Sequence, residues 1–204
     1  MLDVGCGTGR LSVALTERGA RVWGVDPAEE MVQQARSNAG GKATFKEARA
    51  ETLPFKEGWF ERAVFRLVVH LVDRHLAFRE AARVLAPGGR TVIATFAPAS
   101  IERFWVARAF PEVVGLDRRR FPDQDELTEE LGLAGFANAG VSRLLQKGRL
   151  TRAEALERIK GRYISTLRLL SEEAFAEGLA RAERELPDPV EDDREWLVVT
   201  ADRP

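Results

Sequence analysis

The sequence has little of what several classes of protein require. It contains a single cysteine, Cys6, among 204 residues, which excludes an internal disulfide framework and a cysteine-rich metal site. No uncharged stretch approaches the roughly 18 apolar residues of a membrane-spanning helix. Residues 1–10 lack the basic head and apolar run of a secretion signal. We therefore expect a cytoplasmic protein with no metal site and no membrane partner.

The chain also lacks an excess of charge of either sign. Lysine and arginine number 31 against 32 aspartates and glutamates, which gives a net charge of −1. Bulk nucleic-acid binding needs a basic surface, so we expect no nucleic-acid partner. Hydrophobic residues make up 45% of the chain, enough for a sizeable core. The length favours one domain.

Glycine, by contrast, is dense at the start of the chain. Residues 2–10 read LDVGCGTGR, in which Gly5, Gly7 and Gly9 occupy alternate positions. Glycine removes side chains where a loop bends sharply or where a ligand touches its backbone. The spacing is GxGxG, whereas a dinucleotide site needs GxGxxG. The pattern therefore disfavours a nicotinamide-dependent oxidoreductase but does not by itself identify the ligand.

Helix and strand signals alternate through the first half of the chain. Strands are predicted at Arg21–Val25, Ala43–Phe45, Arg62–Val69 and Arg90–Phe96, and helices at Arg10–Arg18, from Pro27 to Gly40, and from Asp73 to Leu85. The inward face of the helix from Pro27 is predicted to carry Ala28, Met31, Val32 and Ala35, and that of the helix from Asp73 to carry Leu76, Ala77, Ala81 and Leu85. This alternation predicts a parallel, doubly wound α/β sheet. Ligands of such sheets bind outside the carboxyl ends of the strands, and the glycine stretch follows the first such end.

The second half gives less regular signals. Helices are predicted at Ile101–Phe110, Asp123–Leu131, Thr151 to about Leu169 and Ser171–Leu186, with strands at Val141–Leu145 and Glu195–Ala201 and a loop at Arg118–Arg120.

Asp26 is the candidate partner of the glycine stretch. It lies at the end of the second predicted strand, where a carboxylate can accept both ribose hydroxyls of an adenosine-containing ligand. The alternative is that Asp26 only caps the helix that begins at Pro27. One residue can do both.

The chain resembles the class I S-adenosylmethionine-dependent methyltransferases, in the type 11 branch that is similar to ubiquinone-biosynthesis methyltransferases. The matching stretches are LDVGCGTGRL (2–11), GVDPAEEMVQQAR (24–36), AETLPF (50–55), WFERAV (59–64) and EAARVLAPGGRTVIATF (80–96). A looser match is RFPDQDELTEELGLAGF (120–136).

The resemblance implies a fold and a division of the chain. The fold is a Rossmann-like, doubly wound, mostly parallel seven-stranded sheet with an antiparallel last strand. Residues 139–145 and 195–201 are expected to pair at one edge, with a helical insertion at about 151–186 between them. We expect a single methyltransferase domain over residues 1–204, with cofactor binding in 1–96 and the acceptor side in 97–204.

The resemblance also implies the site. Asp3 and the glycine backbone face the methionine part of S-adenosylmethionine, Asp26 takes the ribose, Met31 packs near the adenine, and Ala50 and Glu51 border the adenine edge. Arg66–His70 lie beside the sulfonium and the acceptor. The cofactor-binding residues are thus expected to be Asp3, Gly5, Cys6, Gly7, Gly9, Asp26, Pro27, Met31, Ala50, Glu51 and Arg66.

Two positions depart from the family pattern. The residue before Ala50-Glu51 is usually an aspartate that accepts from the adenine amino group, whereas Arg49 cannot accept a hydrogen bond. The usual His-His after the fourth strand is His70-Leu71 here. Arg49 leaves two possibilities: weaker cofactor binding, or Glu51 in place of the missing aspartate.

His70 is the catalytic candidate. It is predicted to follow a central strand, and an ordinary histidine pKa near 6.5 suits a general base. A packing or cofactor-lining histidine is the alternative. Cys6 has no adjacent base and is not expected to act as a nucleophile. Arg118–Arg120 suit either an anionic acceptor or a solvated surface, and Tyr163 either lines the acceptor pocket or packs in the core.

The sequence thus predicts methyl transfer from S-adenosylmethionine to a small-molecule acceptor. A non-catalytic binder of S-adenosylmethionine or S-adenosylhomocysteine is the alternative. Relatives in this family carry an N-terminal segment that closes over the cofactor. We hypothesise that Met1 stands at an internal valine position of a longer natural protein. The chain as given is then expected to bind cofactor weakly and to show little or no turnover.

Overall fold

The computed structural model describes all 204 residues and contains nine strands. The strands are β1 (Leu2–Val4), β2 (Trp23–Asp26), β3 (Thr44–Glu47), β4 (Phe60–Arg66), β5 (Leu85–Phe96), β6 (Ala137–Gln146), β7 (Arg149–Leu150), β8 (Val190–Glu191) and β9 (Arg194–Asp202). Seven of them form one sheet in the order β3-β2-β1-β4-β5-β9-β6, and β7 and β8 form a separate antiparallel pair.

The first five strands are parallel, and β9 runs against its neighbours. β1 pairs in parallel with both β2 and β4, and the β2–β3 and β4–β5 pairs are parallel too. Contacts between β6 and β9 join Asn138 to Asp202, Gly140 to Thr200 and Gln146 to Trp196. The residue number rises along one strand as it falls along the other, so the two are antiparallel. The predicted seven-stranded, mostly parallel sheet with an antiparallel last strand is confirmed.

Nine helices connect the strands. They are α1 (Arg10–Thr16), α2 (Glu29–Ala39), α3 (Arg74–Val84), α4 (Pro98–Ile101), α5 (Trp105–Ala109), α6 (Glu112–Arg120), α7 (Gln124–Leu133), α8 (Arg152–Lys160) and α9 (Glu172–Glu185), with a 3₁₀ turn at Ser165–Arg168. Side-chain caps fix several of their starts: Asp73 accepts from the backbone of Leu76 at α3, and Asp123 and Glu126 form a capping box at α7.

The chain divides into two compact units. Unit 1 comprises Met1–Thr95, Asp123–Ser142 and Leu197–Pro204, and unit 2 comprises Phe96–Pro122 and Arg143–Trp196. In unit 1 the central strands β1 and β4 are almost entirely inaccessible to solvent at Leu2, Val4 and Phe65. Continuous burial on both faces is the pattern of a parallel strand covered by helices on both sides.

Unit 2 has a hydrophobic core of its own. Trp105, Val106 and Phe110 pack there with Ile159 and Ala182, supplied by α5, α8 and α9. Gly178 lies in the middle of α9 because a β-carbon there would come within 2.1 Å of the Phe110 ring. The helical insertion between β6 and β9 is therefore a packed structure rather than a long loop.

Several local predictions are wrong. Arg118–Arg120 form the last turn of α6 rather than a loop. Arginine is a good helix former, and cations are favourable at a helix C-terminus. A single helix was predicted at residues 101–110 and another at 151–169, and neither is continuous. The first segment contains the end of α4 and then α5, and the second contains α8, which ends at Gly161, and then the 3₁₀ turn.

The buried face of α3 is also shifted from the prediction. Leu76 was expected to point inward, yet it is 46% exposed, whereas Ala77, Phe78 and Ala81 are buried. The capping residue Asp73 sets where the helix begins, and helix geometry then turns Leu76 away from the face that carries Ala77 and Ala81.

Candidate functional site

The candidate site lies at the carboxyl ends of β1, β2 and β4. Val4 of β1 is paired with Val25 on one side and with Phe65 on the other. The residues that follow these three are Gly5, Asp26 and Arg66, so they lie side by side at the carboxyl edge of the sheet. The strand order reverses between β1 and β4, which is where doubly wound sheets bind ligands.

The three loop glycines are required for different reasons, although all have positive φ: +70° at Gly5, +52° at Gly7 and +76° at Gly9. A β-carbon at Gly5 would lie 2.4 Å from Val68 Cγ2, and one at Gly9 would lie 3.0 Å from the Ala35 side chain. A β-carbon at Gly7 would meet no atom within 4 Å. Gly7 therefore lies beside open space that any larger residue at this position would fill with its side chain. This is expected of a backbone that a ligand approaches closely.

The carboxylate of Asp26 is tied to this loop. Its Oδ2 accepts from the backbone N–H of Gly7 at 2.9 Å, and its Oδ1 accepts from Ala28 at 3.0 Å, just before α2. Asp26 thus fixes the entry to α2, as its capping interpretation predicted, and also holds Gly7. A carboxylate has about four lone-pair sites, so two bonds leave capacity for a ligand.

Asp3 is a buried carboxylate beneath the loop, with only 1% of its surface exposed. Its Oδ2 accepts from Ser12 Oγ at 2.6 Å. Burial raises its pKa to about 6, although the Ser12 hydrogen bond and the charge of Arg66 oppose this rise. Asp3 is therefore largely ionised at pH 7 and above, at a cost in desolvation.

Two polar contacts at the loop were missed by the sequence interpretation. Ser12 is fully buried in α1 where it meets Asp3, and Asn38 Nδ2 in α2 donates to the carbonyl of Thr8 at 2.9 Å. A serine inside an otherwise apolar helical face was the available signal for the first. No sequence signal indicated the second.

Cys6 supplies backbone rather than a side chain to the loop. Its thiol is buried with Val32, Ala35 and Phe45, and burial together with nearby carboxylates raises its pKa to about 12. A thiol that stays protonated is not a nucleophile, which agrees with the sequence interpretation.

Known proteins support a specific family for this arrangement. The family model of a methyltransferase domain matches residues 2–93. The demethylmenaquinone methyltransferase of Thermus thermophilus is 33% identical over 162 residues, which cover 67% of this chain and 74% of that protein. The chain belongs to the S-adenosylmethionine-dependent methyltransferases.

Other relatives of this methyltransferase chain are longer. An O-methyltransferase of Aspergillus sclerotiorum is 35% identical over 101 residues, which span 46% of this chain and 38% of that protein. The chain thus matches little more than a third of the fungal relative. Geranyl diphosphate C-methyltransferase of Streptomyces coelicolor, solved with Mg²⁺, geranyl diphosphate and S-adenosyl-L-homocysteine, shares the fold. The TM-score is 0.61 at 17% identity, over 100% of this chain and 72% of that one.

The remaining residues expected in the methyltransferase site lie around the same edge. Pro27 is exposed between β2 and α2, and Met31 in α2 is 36% exposed, so it does not join the helix's buried face as predicted. Ala50 is buried just after β3. Glu51 Oε1 accepts from the backbone of Asp73 at 3.0 Å, and its Oε2 lies 3.4 Å from Arg49 Nε.

Arg66 and His70 follow from β4. Arg66 is the exposed last residue of that strand, close enough to Asp3 for its charge to lower the pKa of that carboxyl. The strand ends at Arg66 rather than Val69 as predicted, because Leu67 adopts a φ of +53°. His70 is half-buried in the turn that follows.

The other candidates belong to unit 2. Arg118 forms an ion pair with Glu102, and Arg120 donates to Thr166, Ser165 and Asp117. Two of the three arginines are thus engaged within the unit. Tyr163 stacks on Trp105 with ring centroids 6.1 Å apart, and its buried hydroxyl has no hydrogen-bond partner.

No group of three or more histidine, cysteine, aspartate or glutamate side chains is arranged to hold a metal ion. No helix has both the length and the apolar character needed to cross a membrane.

Proposed function

We propose that this chain binds S-adenosylmethionine at the loop of residues 5–9 and transfers its methyl group to a small-molecule acceptor. The observation that carries the proposal is the open space beside Gly7, next to a carboxylate that is already hydrogen-bonded to that residue. When bound, the sulfonium supplies an activated methyl group. The protein then needs mainly to orient two reactants and exclude water, and orientation alone can contribute about 7–11 kcal/mol.

Each residue of the edge has a role in this proposal. Asp26 accepts from the ribose hydroxyls, and charge-assisted bonds of this kind contribute roughly 1.5–3 kcal/mol each. Asp3 places a negative charge below the loop for the ammonium group of the methionine part. The backbone of residues 5–9 forms the wall, with Pro27, Met31, Ala50 and Glu51 towards the adenine. We assign the acceptor to residues 97–204.

His70 is our candidate general base. A base is needed only if the acceptor must lose a proton, and it then contributes a factor of about 10² to 10⁴. His70→Gln is expected to lower turnover by that factor while leaving the affinity for S-adenosylhomocysteine unchanged. A packing or cofactor-lining role would instead lower the affinity or the melting temperature and leave no separate effect on kcat.

The binding proposal is tested with two matched glycines. Gly7 and Gly40 have φ values of +52° and +54°, and neither has an atom within 4 Å of an added β-carbon. Alanine at either position is therefore expected to lose a similar 1–2 kcal/mol of stability. Gly40 closes α2 two residues after Asn38, whose side chain donates to the Thr8 carbonyl, so Gly40→Ala also controls for a disturbed end of α2.

Calorimetric titration with S-adenosylhomocysteine distinguishes the two variants. Gly7→Ala should weaken binding at least tenfold because its methyl group enters the ligand space, whereas Gly40→Ala should bind like the original chain. Equal affinities for Gly7→Ala and the original chain would overturn the assignment. Turnover is then measured as S-adenosylhomocysteine release with a panel of acceptors, beginning with reduced analogues of demethylmenaquinone because one relative bears that name. Binding without turnover on any acceptor would favour the non-catalytic alternative.

A further inference from the structure

Strand β6 forms one edge of the seven-stranded sheet and is exposed along almost its whole length. The sheet order places β6 beside β9 on one side and beside no strand on the other. Nine of its ten residues, those from 138 to 146, are exposed. Val141, Leu144 and Leu145 belong to the nine large hydrophobic side chains that the chain exposes. A third of that set therefore lies within five consecutive residues of one edge strand.

The opposite edge of the sheet is protected against pairing, whereas β6 is not. The edge strand β3 has only four residues, and its last two are Lys46 and Glu47. Short length and charged side chains are common means by which proteins stop a sheet edge from pairing with another chain. In β6 the single charge is that of Arg143, which is paired within the chain with Glu195 at 3.2 Å. β6 therefore offers a long, apolar edge to which a further strand can be added.

The sequence of β6 is complementary to itself. In an antiparallel pair of two copies centred on Ser142, each residue faces the one that lies equally far on the other side of Ser142 in the second copy. The opposed residues are Gly140 with Leu144, Ala139 with Leu145, and Val141 with Arg143. Each leucine thus faces a small residue, and the aliphatic stem of the arginine lies along the valine. Opposed pairs of this kind stabilise a sheet.

We propose that β6 is the surface at which a second copy of this chain binds, through antiparallel pairing of residues 139–145 about Ser142. The pairing satisfies the backbone N–H and C=O groups on the open side of the strand and covers both leucines. A two-fold contact uses the same surface on both copies, so it closes at the dimer. Three strands separate β6 from β1 in the sheet, so the loop of residues 5–9 is left free.

Sedimentation velocity over a concentration series tests the proposal. The original chain should pass reversibly from one chain of 22.7 kDa to a particle of twice that mass. Leu145→Lys places a lysine against Ala139 in both halves of the contact and should raise the dissociation constant about tenfold or more. Leu169→Lys is the matched control, because Leu169 and Leu145 are both 56% exposed. It should leave the dissociation constant unchanged, and neither substitution disturbs the core.

A second substitution tests the register of the pairing. Ala139→Glu combined with Leu145→Lys places a glutamate opposite a lysine in both halves of the dimer. Within one chain the two positions are six residues apart along the strand, too far to meet. The double variant should therefore associate more tightly than Leu145→Lys alone. An equal or weaker association would overturn the register.

The remaining outcomes decide whether the surface is correct. A mass that stays at 22.7 kDa at every concentration would overturn the proposal. The same holds for a dimer that Leu145→Lys and Leu169→Lys weaken equally, because the contact would then lie elsewhere. Association that continues beyond the dimer would contradict two-fold pairing.

Discussion

Asp3 should destabilise the chain at neutral pH, and replacing it with asparagine should reveal by how much. Asparagine keeps the size of the side chain and an oxygen that can accept from Ser12, but it removes the buried charge. The pKa of Asp3 rises from 3.8 to about 6 on folding. Each pKa unit corresponds to 1.36 kcal/mol, so ionised Asp3 costs up to about 3 kcal/mol of folding free energy.

The sign of the pH dependence follows from the direction of this shift. Between the two pKa values the folded state holds a proton that the unfolded state has released, so the stability of the original chain falls as pH rises through this window. Below about pH 4, Asp3→Asn should therefore be no more stable than the original chain. Its advantage in the free energy of unfolding should grow between about pH 4 and pH 6 and remain at its full value above that. At pH 7.5 the gain of up to 3 kcal/mol corresponds to about 6–12 °C in Tm.

Thermal unfolding at pH 4 and pH 7.5 is the assay, with Asp202→Asn as a control of opposite sign. Arg90 holds the pKa of Asp202 below its usual value, so that substitution should lower Tm at pH 7.5, by only the small amount that a solvent-exposed ion pair contributes. A lower Tm for Asp3→Asn at pH 7.5, or an equal gain at both pH values, would refute the reasoning. The same variant should bind S-adenosylhomocysteine more weakly if Asp3 faces its ammonium group.

Two predictions concern unit 2, and the control for the first, Gly132, lies in α7 of unit 1. Gly178→Ala should lower the free energy of unfolding by about 1–3 kcal/mol because the new methyl group meets the Phe110 ring. Gly132→Ala places its methyl group where no atom lies within 4 Å, so it should raise the free energy of unfolding by up to about 1 kcal/mol through helix propensity. Urea unfolding measures both. Asp192→Asn should lower the free energy of unfolding by about 1.5–3 kcal/mol, because this buried carboxylate accepts charged hydrogen bonds from Arg158 and Arg194, whose side chains are themselves partly exposed. An unchanged urea midpoint would show that the ion pairs are not needed.

The sheet could be predicted from the sequence because its signals are local and agree with one another. The apolar stretches predicted β2 and β4 to within about three residues at each end, and the turn and capping residues predicted α2, α3 and α7. For β5 only the end was correct, because the strand begins at Leu85 rather than at the predicted Arg90. The pairing of β6 with β9 was predicted only through the resemblance. These strands are separated by 47 residues of sequence between Gln146 and Arg194, and no local pattern specifies a partner at that distance.

The errors have a common physical cause in tertiary context. Met31 and Leu76 are apolar and were assigned to buried faces, yet both are among the exposed large hydrophobic residues. Arg118–Arg120 were predicted to form a loop. Arg118 meets Glu102, which the sequence could not place beside it, and Arg120 meets Asp117 one helical turn away. Periodicity shows which residues share a face and does not show whether a neighbour covers it.

The loop of residues 5–9 is held in place by contacts that involve no ligand. Asp26 binds the Gly7 N–H, Asn38 binds the Thr8 carbonyl, and Val68 packs where Gly5 has no side chain. Ligand binding therefore does not have to order this loop. Ordering a flexible segment is one of the main free-energy costs of association. The cost appears instead in the folded chain, as the buried charge of Asp3. A stabilised variant that relieves this cost is accordingly expected to lose ligand affinity, and Asp3→Asn is the substitution in which both effects can be measured on the same protein.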